Sequence, residues 1–361
     1  MICDVFFHFF SYFCNRMNQK IVFSEDLKSD ITLAVSQCEC DKTFVLTDAT
    51  TALKCWPRVK DYEVFRDAHL ITIPAGDTNK NIDSITHVWT ELSTHGATRH
   101  SLLVNIGGGM VTDLGGFAAS TFKRGIEFIN IPTTLLAMVD ASVGGKTGIN
   151  LGGLKNEIGV FNDARTVIID TQFLSTLDNE NIRSGYAEML KHSLLANTAM
   201  WARHITFDLA QPDLKILQEM VRESVEVKEH IVTEDPHEKG LRKALNLGHT
   251  VGHALETWAM RRQPVLHGYA VAWGLIAELY LSVIKTDFPR DQFRQTEQFI
   301  RSYYGVAPTD CKDVDELLEL MTHDKKNTAG TINFTLLSAI GDIKINQTAT
   351  TKEIKESLDF Q

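Results

Sequence analysis

Between residues 20 and 170 the chain alternates short apolar runs with amphipathic stretches. The runs Thr43–Thr47, His69–Ile73, Leu102–Ile106, Phe128–Ile131 and Thr166–Asp170 are rich in β-branched residues and nearly continuous in apolar ones. Strands buried on both faces read that way. Helical periodicity fills the intervals, notably Asn81–His95 and Val111–Ser120. Strands spaced by helices predict a mostly parallel sheet. Beyond Leu177 the strand signal nearly vanishes. Helical periodicity then runs through Arg183–Asn197, Asp213–Thr233, Leu247–Met260, Ala270–Ile284 and Asp291–Tyr303, and only Thr331–Ser338 looks extended. The expected fold class is α/β, with an N-terminal α/β domain over residues 17–180 and an all-α domain over residues 181–361. The aromatic run inside Ile2–Cys14 carries Asp4 and His8. It is too short to span a bilayer and lacks a basic flank and a small-residue cleavage site. Residues 1–16 are expected to be an extension outside the fold.

Composition narrows the function classes. The 361 residues are 43% hydrophobic and 23% charged, ordinary for a globular chain. A core of that size needs no metal for stability, so any metal would serve chemistry. The net charge of −10 disfavours phosphate backbones and anionic membranes as partners, and neither nucleic acid nor membrane is expected. Six Cys without a CxxC pair suit reduced thiols in the cytoplasm.

Four motifs carry candidate chemistry. Asn105-Ile-Gly107-Gly108-Gly109-Met-Val-Thr112-Asp113 follows a strand and opens a helix, where backbone N–H groups can meet a phosphate. Thr112 occupies the third glycine position of GxGxxG, so the Rossmann fingerprint fails and a plain tight turn stays open. Val143-Gly-Gly-Lys146-Thr looks like a P-loop ending, but Asp140 stands where a Walker A motif needs Gly. What survives is Lys146, with Lys155 close behind in Gly153-Leu-Lys155-Asn156. His249 and His253 share one face if helical, and Leu266-His267-Gly adds a third imidazole. Glu188 lies in an apolar helix where an unpaired carboxylate is costly. Spacing alone favours His249, His253 and Glu188 as metal ligands. Finally Arg124, Lys146, Lys155, Lys191, Lys228, Arg242 and the pair Lys325–Lys326 suggest a small, highly anionic substrate, although spacing does not show that they converge.

Together the runs GGGMVTDLGGFAASTFKRG, IPTTLLAMVDASVGGKTGIN, LKNEIG, SGYAEMLKH, LRKALNLGHTVGHALE, LHG and DKKN…NFTLLSAIGDI resemble the 3-dehydroquinate synthases of the sugar phosphate cyclase family. The resemblance runs in order over roughly residues 20–345. It implies a dinucleotide-binding domain over 17–180 and a metal- and substrate-binding domain over 181–361. It implies zinc, or cobalt, on Glu188, His249 and His267, which moves His253 to the substrate side. It implies NAD over the glycine turn, contacted by Asp48, Asp77, Lys80, Gly108, Gly109, Asp113, Thr133, Thr134, Asp140, Lys155, Thr176 and Leu177. The implied substrate set is Arg124, Lys146, Asn156, Lys191, Lys228, Glu238, Arg242, Asn246, His253 and one of Lys325 and Lys326, taken as Lys326.

The implied reaction turns 3-deoxy-D-arabino-heptulosonate 7-phosphate into 3-dehydroquinate and phosphate, with transient NAD redox, in the shikimate pathway to aromatic amino acids. A valiolone-type synthase and a metal-dependent polyol dehydrogenase are the alternatives. A cytoplasmic homodimer is expected, with Arg124 reaching the partner's site. Three positions depart from the family pattern. Asp77 replaces Glu, Tyr269 replaces the acid of LHGE beside His267, and Asn181 replaces an acid next to Glu180.

Overall fold

The apolar runs pair into a six-stranded sheet whose neighbouring strands are all parallel. In the computed structural model, residues 19–152, 154–322 and 331–360 are described. The expected extension over residues 1–16 and the pair Lys325–Lys326 lie outside them. The sheet takes β1 (Lys20–Phe23), β2 (Thr43–Asp48), β3 (His69–Ile73), β4 (Leu102–Gly107) and β5 (Glu127–Pro132). An antiparallel hairpin of β6 (Lys146–Leu151) and β7 (Leu154–Phe161) follows, before the chain re-enters the sheet as β8 (Thr166–Ile169). Spatial order is β1-β8-β5-β4-β2-β3. Central β4 is buried along its whole length, which accounts for its unbroken apolar run.

Helices α1 (Leu27–Ser36), α2 (Ala49–Lys54), α3 (Ile82–Thr94) and α4 (Gly109–Thr121) alternate with these strands. Helix α4 packs so closely on β4 that a Cβ on Gly115 would lie 2.0 Å from Asn105 Oδ1. The chain leaves β2 toward β3 on one side and leaves β4 toward β5 on the other. The order of winding therefore reverses between β2 and β4, and a crevice opens there at the carboxyl ends of the strands.

The second half is helical, with α5 (Asn179–Ala196), α6 (Thr198–His204), α7 (Leu214–Glu234), α8 (His249–Met260), α9 (His267–Thr286), α10 (Arg290–Tyr304), α11 (Val314–Thr322) and α12 (Thr351–Asp359). It also holds an antiparallel hairpin, β9 (Phe334–Ala339) and β10 (Asp342–Gln347), so all-α is amended to that extent. Strand β9 is the run that looked extended. Helix α9 is long and apolar enough to cross a bilayer, yet 72% of that stretch is buried. It packs against α5, α8, α10 and β9 as a core helix.

His204, at the end of α6, makes this core sensitive to acid. The residue is fully buried, and its Nδ1 is 2.8 Å from the Met200 carbonyl. Burial pushes its pKa down to about 4 against the pull of that carbonyl. An unfolded chain takes up the same proton near ~6.5, so this stabilisation is whole above that pH. It is lost progressively as pH falls toward about 4. The full loss is on the order of 3 kcal/mol. Urea unfolding at neutral pH and near pH ~4.5 is expected to show a smaller acid loss in His204→Phe than in the wild type. Equal losses would remove His204 from the explanation.

Candidate metal and cofactor site

Three helices converge on one buried carboxylate. Glu188 comes from the middle of α5, His249 is the first residue of α8, and His267 is the first residue of α9. One ring nitrogen from each histidine and one Glu188 oxygen lie within 4.8 Å of one another. Both imidazole Nε2 atoms stand 3.4 Å from Glu188 Oε1. That oxygen is buried without a hydrogen-bond donor, while Oε2 accepts from the Lys191 ammonium. An orphaned interior carboxylate oxygen is costly, and a cation among the three groups would satisfy it. Two nitrogens and one oxygen form a donor set that suits zinc or cobalt and leaves a coordination position open. The residues present therefore fit a divalent metal.

The outer nitrogens are held in place. His249 Nδ1 is 3.1 Å from the Leu247 carbonyl, and His267 Nδ1 is 3.2 Å from Glu256 Oε2. Such partners fix the tautomer and aim Nε2 inward. Burial works against a charged His267, but Glu256 and then Glu188 raise its pKa to about 10. Burial and Lys191 push His249 down to about 3. The charge around His267 thus favours a cation. Tyr269 turns away into an aromatic pack, its ring 5.1 Å from Tyr304 and 6.1 Å from Trp273. The carboxylate on His267 comes from Glu256, eleven residues upstream, so the LHGY departure leaves the histidine supported.

The triad chosen by spacing alone is not the one that converges. His253 lies beside the cluster, its ring centroid 5.2 Å from His249 and 6.1 Å from His267. Spacing also missed Glu278, whose fully buried carboxylate accepts the N–H groups of Gly248, Thr250 and Val251 at 2.7, 2.9 and 3.2 Å. It caps α8 and so presents His249. Glu256 and Glu278 carry the signal that singled out Glu188, an acid inside an apolar helix.

The residues expected at the cofactor line the carboxyl ends of the strands. Asp48 ends β2 and caps α2, its Oδ1 accepting from Thr50 and Thr51 at 2.8 Å. Gly108 is the N-cap of α4 and provides no side chain to it, so the N-terminus beside Gly109 keeps its exposed donors for an anion. Thr133 N donates to the Gly107 carbonyl at 2.9 Å, and Thr134 Oγ1 accepts from Ala137 N. Asp140 sits in the π-helical turn Ala137–Ala141. Thr176 and Leu177 close the turn after β8. Lys80 donates to Asp113 Oδ2 at 2.9 Å and to Asn156 Oδ1. Lys155 reaches Asp77 Oδ2 at 3.0 Å and Glu256 Oε1 at 2.7 Å, joining this side to the histidines. Asn181 helps Asp178 cap α5.

Most of the expected anion-binding residues gather at the same seam. Lys228 pairs with Asp140 at 2.6 Å, and its ammonium holds that carboxyl below the usual range against burial. Burial in turn lowers the Lys228 pKa. Glu238 accepts from Lys146 and, at 2.8 Å, from Asn246. Arg242 is buried, donating to the carbonyls of Pro236 and Gly144 at 2.7 and 2.9 Å, while its Nε makes no hydrogen bond. Gly144 has φ +97°, and a Cβ there would sit 2.9 Å from this guanidinium. Arg124 is exposed, and among the described residues no hydrogen bond or ion pair joins it to the set.

Two family models match consecutive stretches. The 3-dehydroquinate synthase N-terminal model covers residues 70–184 and the C-terminal model residues 185–327. A 3-dehydroquinate synthase of Parabacteroides distasonis is 53% identical over 95% of this chain and 97% of its own length. The chain belongs to the 3-dehydroquinate synthase family. Another relative, a 3-dehydroquinate synthase of Oceanobacillus iheyensis, is 37% identical over 91% of each chain. Among solved structures, a 2-deoxy-scyllo-inosose synthase bound to carbaglucose-6-phosphate, NAD+ and Co2+ superposes with TM-score 0.83 at 24% identity, covering 94% of this chain and 95% of that one. A 2-epi-5-epi-valiolone synthase from Streptomyces hygroscopicus, with NAD+ and Zn2+, gives 0.80 at 24% identity over the same shares. These likenesses establish the shared fold.

The geometry sets an expectation for metal retention. His249→Ala and His267→Ala are expected to lose tightly held metal, and His253→Ala to keep it. Glu256→Gln is expected to weaken retention roughly 10- to 100-fold. Metal analysis after gel filtration checks both. Loss of metal in His253→Ala with retention in His267→Ala would return the assignment to the i,i+4 pair.

Proposed function

We propose that this chain is a phosphate-eliminating lyase that converts 3-deoxy-D-arabino-heptulosonate 7-phosphate into 3-dehydroquinate and phosphate. The carrying observation is the 53% identity to a 3-dehydroquinate synthase over 95% of the chain. The orphaned Glu188 oxygen between two imidazoles supports a metal-dependent reaction at this site. When bound, NAD supplies reversible hydride acceptance and the divalent metal, zinc or cobalt, supplies Lewis acidity.

The remaining work falls to the protein. Glu188, His249 and His267 hold the metal, and Glu256 and the Leu247 carbonyl orient the imidazoles. The Gly108–Gly109 turn and Asp48, Asp77, Lys80, Asp113, Thr133, Thr134, Asp140, Lys155, Thr176 and Leu177 seat the dinucleotide. Lys146, Asn156, Lys191, Lys228, Arg242, Asn246 and His253 bind the anionic substrate, with Glu238 positioning Lys146 and Asn246. Holding the open chain in one conformation lowers the entropic barrier to ring closure. The domains divide at 180/181, with the sites formed where they meet.

The reading extends to a cytoplasmic homodimer. Strand β7 is exposed along nearly its full length, with Leu154 at 59% and Phe161 at 55%, and unpaired apolar edges invite a partner. Arg124, exposed at the end of α4, would enter the partner's site. A valiolone-type synthase has less use for the buried Arg242 and Lys228, which suit a carboxylate. A polyol dehydrogenase has less use for so many cations.

Substoichiometric NAD is expected to support many turnovers, with one phosphate released per product and no lasting rise in reduced-nicotinamide absorbance. Steady NADH accumulation without phosphate would move the protein to the dehydrogenases. Arg242→Ala is expected to lower kcat/KM for the heptulosonate phosphate roughly 30- to 1000-fold, the loss of one buried charge-assisted contact. Faster wild-type cyclisation of sedoheptulose 7-phosphate would favour the valiolone-type reading.

A further inference from the structure

The amino ends of the strands, opposite the crevice, carry a second group of metal-ligating side chains. His69 opens edge strand β3, while Glu91 lies in the last turn of α3 and His95 is its C-cap. One ligand atom from each falls within 4.8 Å of the other two. His69 Nε2 is 2.9 Å from Glu91 Oε2, and His95 Nδ1 is 3.6 Å from the same oxygen. The side chains are 28–42% exposed, so an ion can enter without unfolding the core.

We propose that His69, Glu91 and His95 form a second divalent-metal site, which clips edge strand β3 to the carboxyl end of α3. Two imidazoles and a carboxylate select a borderline transition metal such as zinc over magnesium or calcium. The local field agrees. Glu91 places its Oε2 between the two imidazoles. The carboxyl end of a helix also attracts positive charge, and Lys42 already caps it through the His95 carbonyl at 3.1 Å. The two rings now stack, with centroids 3.6 Å apart at 23°. His95 Nδ1 now lies 3.0 Å from the Glu91 carbonyl, so binding requires this more exposed ring to give up that contact and turn until a ring lone pair meets the ion. The Glu188, His249 and His267 group uses none of these residues.

The test is calorimetric titration of zinc into enzyme whose catalytic site is already zinc-loaded. One further equivalent is expected with a micromolar Kd, together with a rise of a few °C in Tm. Glu91→Gln and His95→Ala are each expected to weaken that event at least tenfold and abolish the Tm rise. Both are expected to keep wild-type turnover and the tightly held metal. The proposal fails if no further equivalent binds, or if it binds equally well in both variants. Should one variant fail to fold, the other decides.

Discussion

The Glu256 carboxylate ties the two halves of this molecule together. It lies nearly buried on α8, with Lys155 of the β6–β7 hairpin at 2.7 Å on one oxygen and His267 at 3.2 Å on the other. Burial alone would neutralise the acid, but His267 and then Lys155 hold it ionised well below the usual range. Such a buried cluster adds little net stability, because desolvation offsets most of the attraction. Its value is geometric. Removing any member leaves an uncompensated charge, so His267 and the strand hairpin are locked in one register. Through Lys155 the same lock extends to Asp77, in the turn after β3.

The fold was legible where burial is simple. Strands β2, β4, β5 and β8 show in the sequence because both faces are covered or nearly so, and edge strand β3 shows through its β-branched apolar run. Strand β1 is only four residues long and partly exposed, too brief for a periodic signal. The β6–β7 hairpin hides for a different reason. Strand β7 is exposed, so it lacks the apolar run of a buried strand, and glycines interrupt both strands. Its Lys146 therefore reads as a loop residue.

The site was legible in its residue types but not in its pairings. Helical spacing can place His249 and His253 on one face, yet it cannot say what another helix brings to that face. The convergence of His267 depends on where α9 begins, and that start carries no side-chain cap in the sequence; Gly268 N instead donates to Ser184 Oγ of α5 at 3.1 Å. The family resemblance supplied the correspondence that periodicity lacks. It did not supply Glu256 and Glu278, although each carries the same mark as Glu188, a carboxylate in an apolar helix.

The remaining constraint is one of charge. Lys191 pairs with Glu188, Lys228 with Asp140, and Lys146 with Glu238. Asn156 and Glu238 hold left-handed backbone, φ 50° and 57°, a strain that packing elsewhere must sustain. Under the proposed function, an anionic substrate would compete with these carboxylates for Lys191, Lys228 and Lys146. A neutral polyol has nothing to offer in exchange. A phosphate and a carboxylate do, because each can replace one of these carboxylates as a lysine's counter-ion. Under that reading, selectivity for a doubly anionic sugar follows from difference rather than from attraction alone. In a protein of net charge −10, the outer surface as a whole is unattractive to polyanions.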